Sequence, residues 1–429
     1  MKQSVHNPSV VPGYRFVIYA MTVLMCVIGY GDRAVLAAGM PLIGQEFGLS
    51  TTQVGWVLSS FLWSYFILNL PAALLLDRFG PRVVGMLSVV MWSVAMILGA
   101  LSGTLVQFLI ARVLLGAGEA ATFSLGNKVV NAWAPVRERS VMMTAFTCGI
   151  QIGLAAGAAV GAWLIMQYGW RVAFVVLGVV GCLWAAAWFV AYPAHDRPSA
   201  PVGSVSGGQG LSLRPLLHSR SFWCVVGAQC TGNYANFLMM TWVPTYLVSA
   251  LHMDLLHSGA NTAICYLAAA CLSMAGSRAG EWILARSGNG IGARRRVVAF
   301  FLSLVMVVAV LPLCTTALEI MGVLSLAMGA IIAALGTNMA LLAELLVERR
   351  YLGSVTGFML TFSNGIGILA PVATGYLVAA TGNFHAVFYV TACIVLAGAL
   401  TAWLGPRHMF HAAAGHDHAG NEVQQGAGS

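Results

Sequence analysis

Val106–Gly126 reads VQFLIARVLLGAGEAATFSLG. The stretch is long and apolar enough to cross a bilayer, which takes about 20 residues of helix. Yet Arg112 and Glu119 lie well inside it. A charge at mid-membrane depth costs roughly 2.5–3.5 kcal/mol on insertion scales. Seven residues of helix make almost two turns and about 10 Å of rise, so the two side chains project from one face. Leu109, Ile110, Val113 and Leu114 can then meet lipid or neighbouring helices. A second charged pair, Asp32-Arg33, interrupts another apolar stretch. One reading is an ion pair that clasps two helices. The other is a path for a substrate or an ion, and two such pairs in one chain favour it.

The composition agrees with a membrane solvent. Of the 429 residues, 59% are hydrophobic and only 8% charged, with a mean hydropathy of +0.84, whereas soluble domains carry about 25% charged residues. The net charge of +8 does not point to nucleic acid, because the basic residues fall between apolar stretches, where they set orientation. Nine cysteines, among them Cys26, Cys148, Cys182 and Cys393, show no paired spacing and read as small core residues. The start, MKQSVHNPSVVPGYR, is too polar and Pro-containing for a cleavable signal.

Hydropathy divides the chain into spans near 15–38, 52–75, 82–101, 105–126, 140–165 and 170–192, then 221–247, 260–284, 296–316, 320–345, 353–379 and 384–405. The expected organisation is a tail (1–14), a six-helix bundle (15–192), a Pro/Gly/Ser-rich linker (193–220), a second bundle (221–405) and a disordered tail (406–429). The fold class is therefore all-α, twelve transmembrane helices in two pseudo-symmetric bundles. The tails and even-numbered connections carry Arg78, Arg82, Lys128, Arg137, Arg139, Arg197, Arg294–Arg296, Arg349 and Arg350 among others, while the odd-numbered connections carry only Arg171. By the positive-inside rule both termini face the cytoplasm, across a plasma or inner membrane. The halves echo each other: GLAAGAAVGAWLIMQYGWRVAFVVLG against GIGILAPVATGYLVAATGNFHAVFYV. Such internal repeats are the mark of two-bundle transporters.

LLLDRFGPR (74–82) is similar to the loop signature of the major facilitator superfamily, with Ala73 where a glycine is usual. YGDRAVLAAGMPLIGQEFGLS, LNLPAALLLDRFG, ARVLLGAGEAATF, NAWAPVRERS and WVPTYL, in this order and spacing, resemble the anion:cation symporter family within it. The resemblance runs over 15–405. It implies carriage of sugar acids, aromatic acids or other organic anions. It also implies that Asp77, Arg78, Gly80 and Arg82 form a structural loop motif bracing neighbouring helices.

Arg33 and Arg112 are the candidate substrate-anion ligands, since a guanidinium stays charged in the membrane and pairs with a carboxylate through a planar fork. The resemblance matches both to arginines implicated in anion binding. Asp32 and Glu119 match acids associated with proton coupling. Burial favours the protonated form of a carboxyl and a neighbouring arginine the charged form, so an anion that engages the arginine changes the acid's proton affinity. Sodium coupling through the same carboxylates is the alternative. Tyr30, one turn before Arg33, together with Tyr65, Gln151 and Asn364, are candidates for substrate hydroxyls; Asn338 and Asn236 are weaker ones. Glu344 is expected to cap against Arg349 or Arg350. Trp242-Val243-Pro244-Thr245-Tyr246 reads as a gate or as an interfacial anchor. The tail histidines His408, His411, His416 and His418 have no defined metal-ligand spacing.

No phosphate-binding glycine loop with its lysine and no nucleophile elbow occurs, which argues against an ATP-driven pump or an enzyme. No cofactor or metal is expected. The partners expected are a small organic anion, protons (or sodium) and the lipid bilayer, with no nucleic acid and a monomeric state. An exchanger or uniporter of the same fold, and more distantly a membrane sensor that moves nothing, are the rival readings.

Overall fold

A computed structural model describes residues 13–193, 213–249, 251, 253–287, 290–347, 351–405 and 408–411. Among the described residues, ten helical segments are long and apolar enough to cross a membrane. One of them, α2 (Thr51–Ala100), is two spans joined at Gly80, whose φ of 78° breaks the helix. That backbone region suits only glycine comfortably, so the loop motif is a hinge between two spans. A further span, α8 (Arg220–Ser249), carries Gln229, Asn233 and Asn236, which lower its hydropathy. With it the spans number twelve: α1 (Tyr14–Glu46), the two halves of α2, α3–α4 (Leu105–Glu119, Thr122–Trp133), α5 (Val136–Tyr168) and α6 (Trp170–Ala191) in the first bundle; then α8, α9 (Leu255–Ser287), α10 (Gly290–Val305) with its 3₁₀ extension Met306–Leu313, α11 (Ala317–Leu345), α12–α13 (Leu352–Gly367, Leu369–Thr381) and α14 (His385–Leu404).

In the first bundle α1 packs on α5, and α2 on α3 and α6; in the second, α8 packs on α12 and α14, and α9 on α11. The α1–α5 contact depends on small residues. At Gly153 and Gly157 a Cβ would lie 2.5 and 2.4 Å from the carbonyl oxygens of Val27 and Gly31, so only glycine permits this approach. It holds the Asp32-Arg33 segment of α1 at a fixed depth and rotation.

The two broadest seams between the bundles are α2 to α13 and α5 to α9, with α1 also meeting α8. They are equivalent under the internal repeat, the second span meeting the eleventh and the fifth meeting the eighth. Both are tightest near the odd-numbered, arginine-poor end. A Cβ on Gly55 would fall 2.6 Å from the Pro371 carbonyl oxygen, and one on Gly259 would fall 2.3 Å from the Ala162 Cβ. In this conformation both seams are closed at that end.

The linker gains a feature, the tail is corrected in part, and the partners expected for Glu344 lie outside the described residues. The 193–220 linker contains a short helix, α7 (Leu213–His218), while 194–212 lie outside the described residues. Within the tail, Phe410 is buried, exchanges backbone hydrogen bonds with Leu345 and Val347, and packs on Phe222 at 5.6 Å. An aromatic with an apolar socket within reach docks rather than dangles; His416 and His418 lie outside the described residues. Glu344 bonds Arg294 at 2.7 Å, because α10 and α11 pack together and bring that arginine beside it, whereas Arg349 and Arg350 lie outside the described residues.

A two-arginine site in the first bundle

Glu119 is the last residue of α3, and the helix breaks at Ala120-Ala121 before α4 resumes at Thr122. Asn69 on α2 donates to the Ala120 carbonyl at 3.1 Å, which partners an acceptor at the break. The break leaves Glu119 pointing at α1. There the Arg33 Nε and Nη2 both donate to Glu119 Oε2, at 2.9 and 2.6 Å.

The Arg33 guanidinium is also caged by rings, 4.4 Å from the Tyr30 centroid, 4.5 Å from Phe61 and 5.0 Å from Tyr65. The negative faces of these rings attract it. Arg33 is therefore fully committed. Arg112 is not: it lies 5.3 Å from the Phe61 ring and is buried, with no ion pair among the described residues and no hydrogen-bond partner for Nε or Nη1. Both oxygens of buried Asp32 and Oε1 of Glu119 likewise have no hydrogen-bond partner, although Asp32 lies within the fields of Glu119, Arg112 and Arg33. Buried polar groups are normally bonded. This set holds bonding capacity in reserve.

The pairing is not the one that sequence proximity suggests. Arg33 bonds across to Glu119 rather than to adjacent Asp32, and Arg112 does not bond Glu119 seven residues on.

Tyr30, Tyr65, Gln151 and Asn364 are all half-buried. Tyr30 and Tyr65 join the arginines. The side-chain carbonyl oxygen of Gln151 has no hydrogen-bond partner among the described residues. Asn364, beside the α12–α13 break, accepts from Asn233 Nδ2 at 3.0 Å, and the same nitrogen contacts Ser363 Oγ at 3.0 Å. Asn338 instead donates to Gln229 Oε1 at 2.7 Å and to the Val225 carbonyl at 3.0 Å, a bond that ties α8 to α11. Asn236 is half-buried.

In the loop motif Asp77 bonds Lys128 at 2.7 Å, and Arg82 Nε donates to the Phe189 carbonyl at 3.0 Å. Arg78 covers the Phe79 ring. Asp77 and Arg82 thus link α2 to α4 and α6.

Sequence reasoning missed Phe61, which lies between the two arginines, and Asn233. A phenylalanine in an apolar helix carries no signal of such a role. Asn233 stood in a polar-enriched span and was the more legible of the two.

A cleft of about 20 Å³ is bounded by Arg33, Arg112, Leu58 and Phe61 from the first bundle and by Met240 and Thr241 from the second. That is room for about one water. One helical turn further toward the arginine-poor end, along α1, α2 and α8, which line both, is a cavity of about 540 Å³ bounded by Pro41, Val54, Thr245, Asn383 and His385. Trp242 lines it too, buried and donating to the Pro371 carbonyl at 3.2 Å. The ring is buried within the second bundle, against Pro371 and Phe384, rather than exposed as an interfacial anchor.

The Major Facilitator Superfamily profile matches residues 22–371. The chain is 30% identical over 388 residues to a probable L-galactonate transporter of Escherichia coli K12, covering 87% of this chain and 85% of the relative. It is 29% identical to a hexuronate transporter of Bacillus subtilis 168, covering 88% and 90%. Among solved structures, a D-xylose-proton symporter superposes with a TM-score of 0.73 at 15% identity, over 92% of this chain and 99% of the other. At that identity the likeness shows the fold. Twelve spans in two repeated bundles, buried charge at the middle of the first and a profile match over most of the length lead to one conclusion: the chain is a multi-pass membrane transporter, not an enzyme, and belongs to the Major Facilitator Superfamily.

Proposed function

We propose that the protein imports a small organic anion, a sugar-acid-like or aromatic carboxylate, by proton symport with alternating access. The observation that carries this reading is the inequality of the two arginines. Arg33 is held by Glu119, while Arg112 is buried with nitrogens that have no partner. A carboxylate substrate supplies the acceptors that Arg112 lacks, in the bidentate geometry a guanidinium favours. The relatives named for L-galactonate and hexuronate carry carboxylates, which supports the class.

A proton on Glu119 removes the charge that binds Arg33, so the second guanidinium swings to the same anion. Asp32 is the other proton site. Tyr30, Tyr65, Gln151 and Asn364 then offer hydrogen bonds to the substrate's remaining polar groups. The cleft at the arginines is too small for such an anion in this conformation, so loading needs the bundles to part. The cavity of about 540 Å³ one turn away falls in the usual size range of small-molecule sites and is the approach from the arginine-poor side. The arginine distribution supports an orientation with that side outside the cell and both termini in the cytoplasm, across an inner or plasma membrane. We take the transporting unit as a monomer.

The test is reconstitution in liposomes with a pH dye inside, screened against sugar acids, aromatic acids and dicarboxylates. Acidification with one anion class, absent in Glu119→Gln, is the expected result. If an anion crosses without proton movement and Glu119→Gln carries it equally well, the coupling assignment is wrong and the charges serve an exchanger. Acidification that requires external sodium assigns the coupling ion differently.

A further inference from the structure

A second cavity, larger than the one between the bundles, lies off the path between them. It is a groove of about 780 Å³ between α9, α10 and α11. Its floor is made of residues with little or no side chain, Gly276, Ala279 and Gly280 on α9 and Gly329 on α11, and one wall is Phe300. Phe300 is 62% exposed and Ile283 50% exposed. In a membrane span such exposure means that the groove opens to lipid.

Its depth is informative. The lining runs from Ala293 to Leu304 on α10 and from Ile283 back to Leu272 on α9, each about 16 Å at the α-helical rise. Half of a bilayer's hydrocarbon core is about 15 Å. The groove therefore spans one leaflet, beginning at the arginine-rich end and stopping near the midplane.

At its mouth the charge balance is positive. Arg286, Arg294, Arg295 and Arg296 face two acids, Glu281 and Glu344, a surplus of two positive charges. Both acids are engaged by Arg294, at 2.7 Å each. Arg286 lies over the Trp282 ring at 3.6 Å. Arg296 lines the groove itself, is exposed and is in no ion pair among the described residues. Its Nε donates to the Gly292 carbonyl at 3.1 Å, which pins the side chain at the mouth.

We infer that this groove binds one anionic phospholipid of the leaflet at the arginine-rich end, an acyl chain lying along α9 and the headgroup phosphate on Arg296. A one-leaflet apolar slot with a cation at its headgroup end complements that molecule in both length and charge. A zwitterionic lipid gains the slot but not the net attraction, which is worth about 1 kcal/mol per arginine near the surface.

The test is native mass spectrometry of the full chain released from bilayers of equal phosphatidylglycerol and phosphatidylcholine, reading the one tightly retained lipid. The wild type is expected to retain phosphatidylglycerol about fivefold more often, the preference that one such contact gives. Arg296→Gln should erase the headgroup preference while a lipid is still retained. Ala279→Trp, at an exposed position on the groove floor, should abolish retention of both lipids. Should that variant fail to fold, Ala275→Phe fills the same slot. Equal retention of the two lipids by the wild type, or a phosphatidylglycerol preference unchanged in Arg296→Gln, overturns the inference. So does undiminished retention in a folded groove-filling variant.

Discussion

Gly259→Ala isolates the α5–α9 seam. A Cβ at this position would sit 2.3 Å from the Ala162 Cβ and 2.6 Å from the Ala158 carbonyl oxygen. Neither is the end of a flexible side chain, so the seam must open to accept the methyl. Overpacking of this kind costs about 1–3 kcal/mol. The gain in helix propensity from Gly to Ala, roughly 1 kcal/mol, applies whether the seam is closed or open and cancels between the two. The closed conformation is therefore disfavoured by a factor of about 5–150, and the conformation open at the arginine-poor end gains that population.

The reporter is Leu58→Cys, buried in the small cleft below that end, in a background stripped of native cysteines. A membrane-impermeant thiol reagent is applied from the arginine-poor face of oriented vesicles. While the closed state dominates, the labelling rate follows the open population and should rise by the same factor in Gly259→Ala. An unchanged rate in a folded variant would mean that this contact does not hold the closed state, and the alternating-access argument would lose its structural basis.

Other outcomes are expected at separate places. Arg112→Lys keeps the charge but loses the fork; forfeiting a charge-assisted bond worth about 1.5–3 kcal/mol should weaken anion binding about 10–150-fold in titrations with the transported anion, and retained affinity would remove Arg112 from the site. Asn338→Leu should lower the melting temperature through about 1–3 kcal/mol of unpartnered polar groups on α8, with transport per folded molecule intact; lost transport would make Asn338 a substrate ligand instead. The Asp254 carboxyl accepts from the His257 backbone N–H at 2.8 Å at the start of α9. That bond, first, and the His257 side chain hold the carboxyl below its usual range. Because the folded value is the lower one, the stabilisation is present above about pH 3.9, the unfolded value, and is lost as pH falls through the folded value. Asp254→Ala should thus speed hydrogen exchange of the 255–258 amides at neutral pH and converge with the wild type in acid; a difference that persists at low pH would contradict the cap.

The two bundles and their seamless apolar spans were legible because a bilayer imposes length and hydropathy on each segment separately. The buried charges were legible for the same reason: their cost in lipid makes them conspicuous one residue at a time. Partners were not. Glu119 bonds Arg33 on another helix rather than Arg112 on its own, and Glu344 bonds Arg294 on the preceding helix. Both outcomes depend on how two helices are rotated against each other, which no single helix encodes.

By itself the sequence determined the solvent, the number of spans, the repeat and the short set of groups too costly to bury without purpose. Tertiary structure decided which arginine is spent and which is uncommitted, where the bundles are closed, and that a one-leaflet groove opens beside the Arg294–Arg296 run. The physical reason is that insertion is a sum over segments, whereas hydrogen bonds of 2.6–2.9 Å such as those from Arg33 to Glu119 need two segments placed to within a fraction of their length. That placement comes from close backbone approach at glycines such as Gly157 and Gly259, and it emerges only when the helices pack.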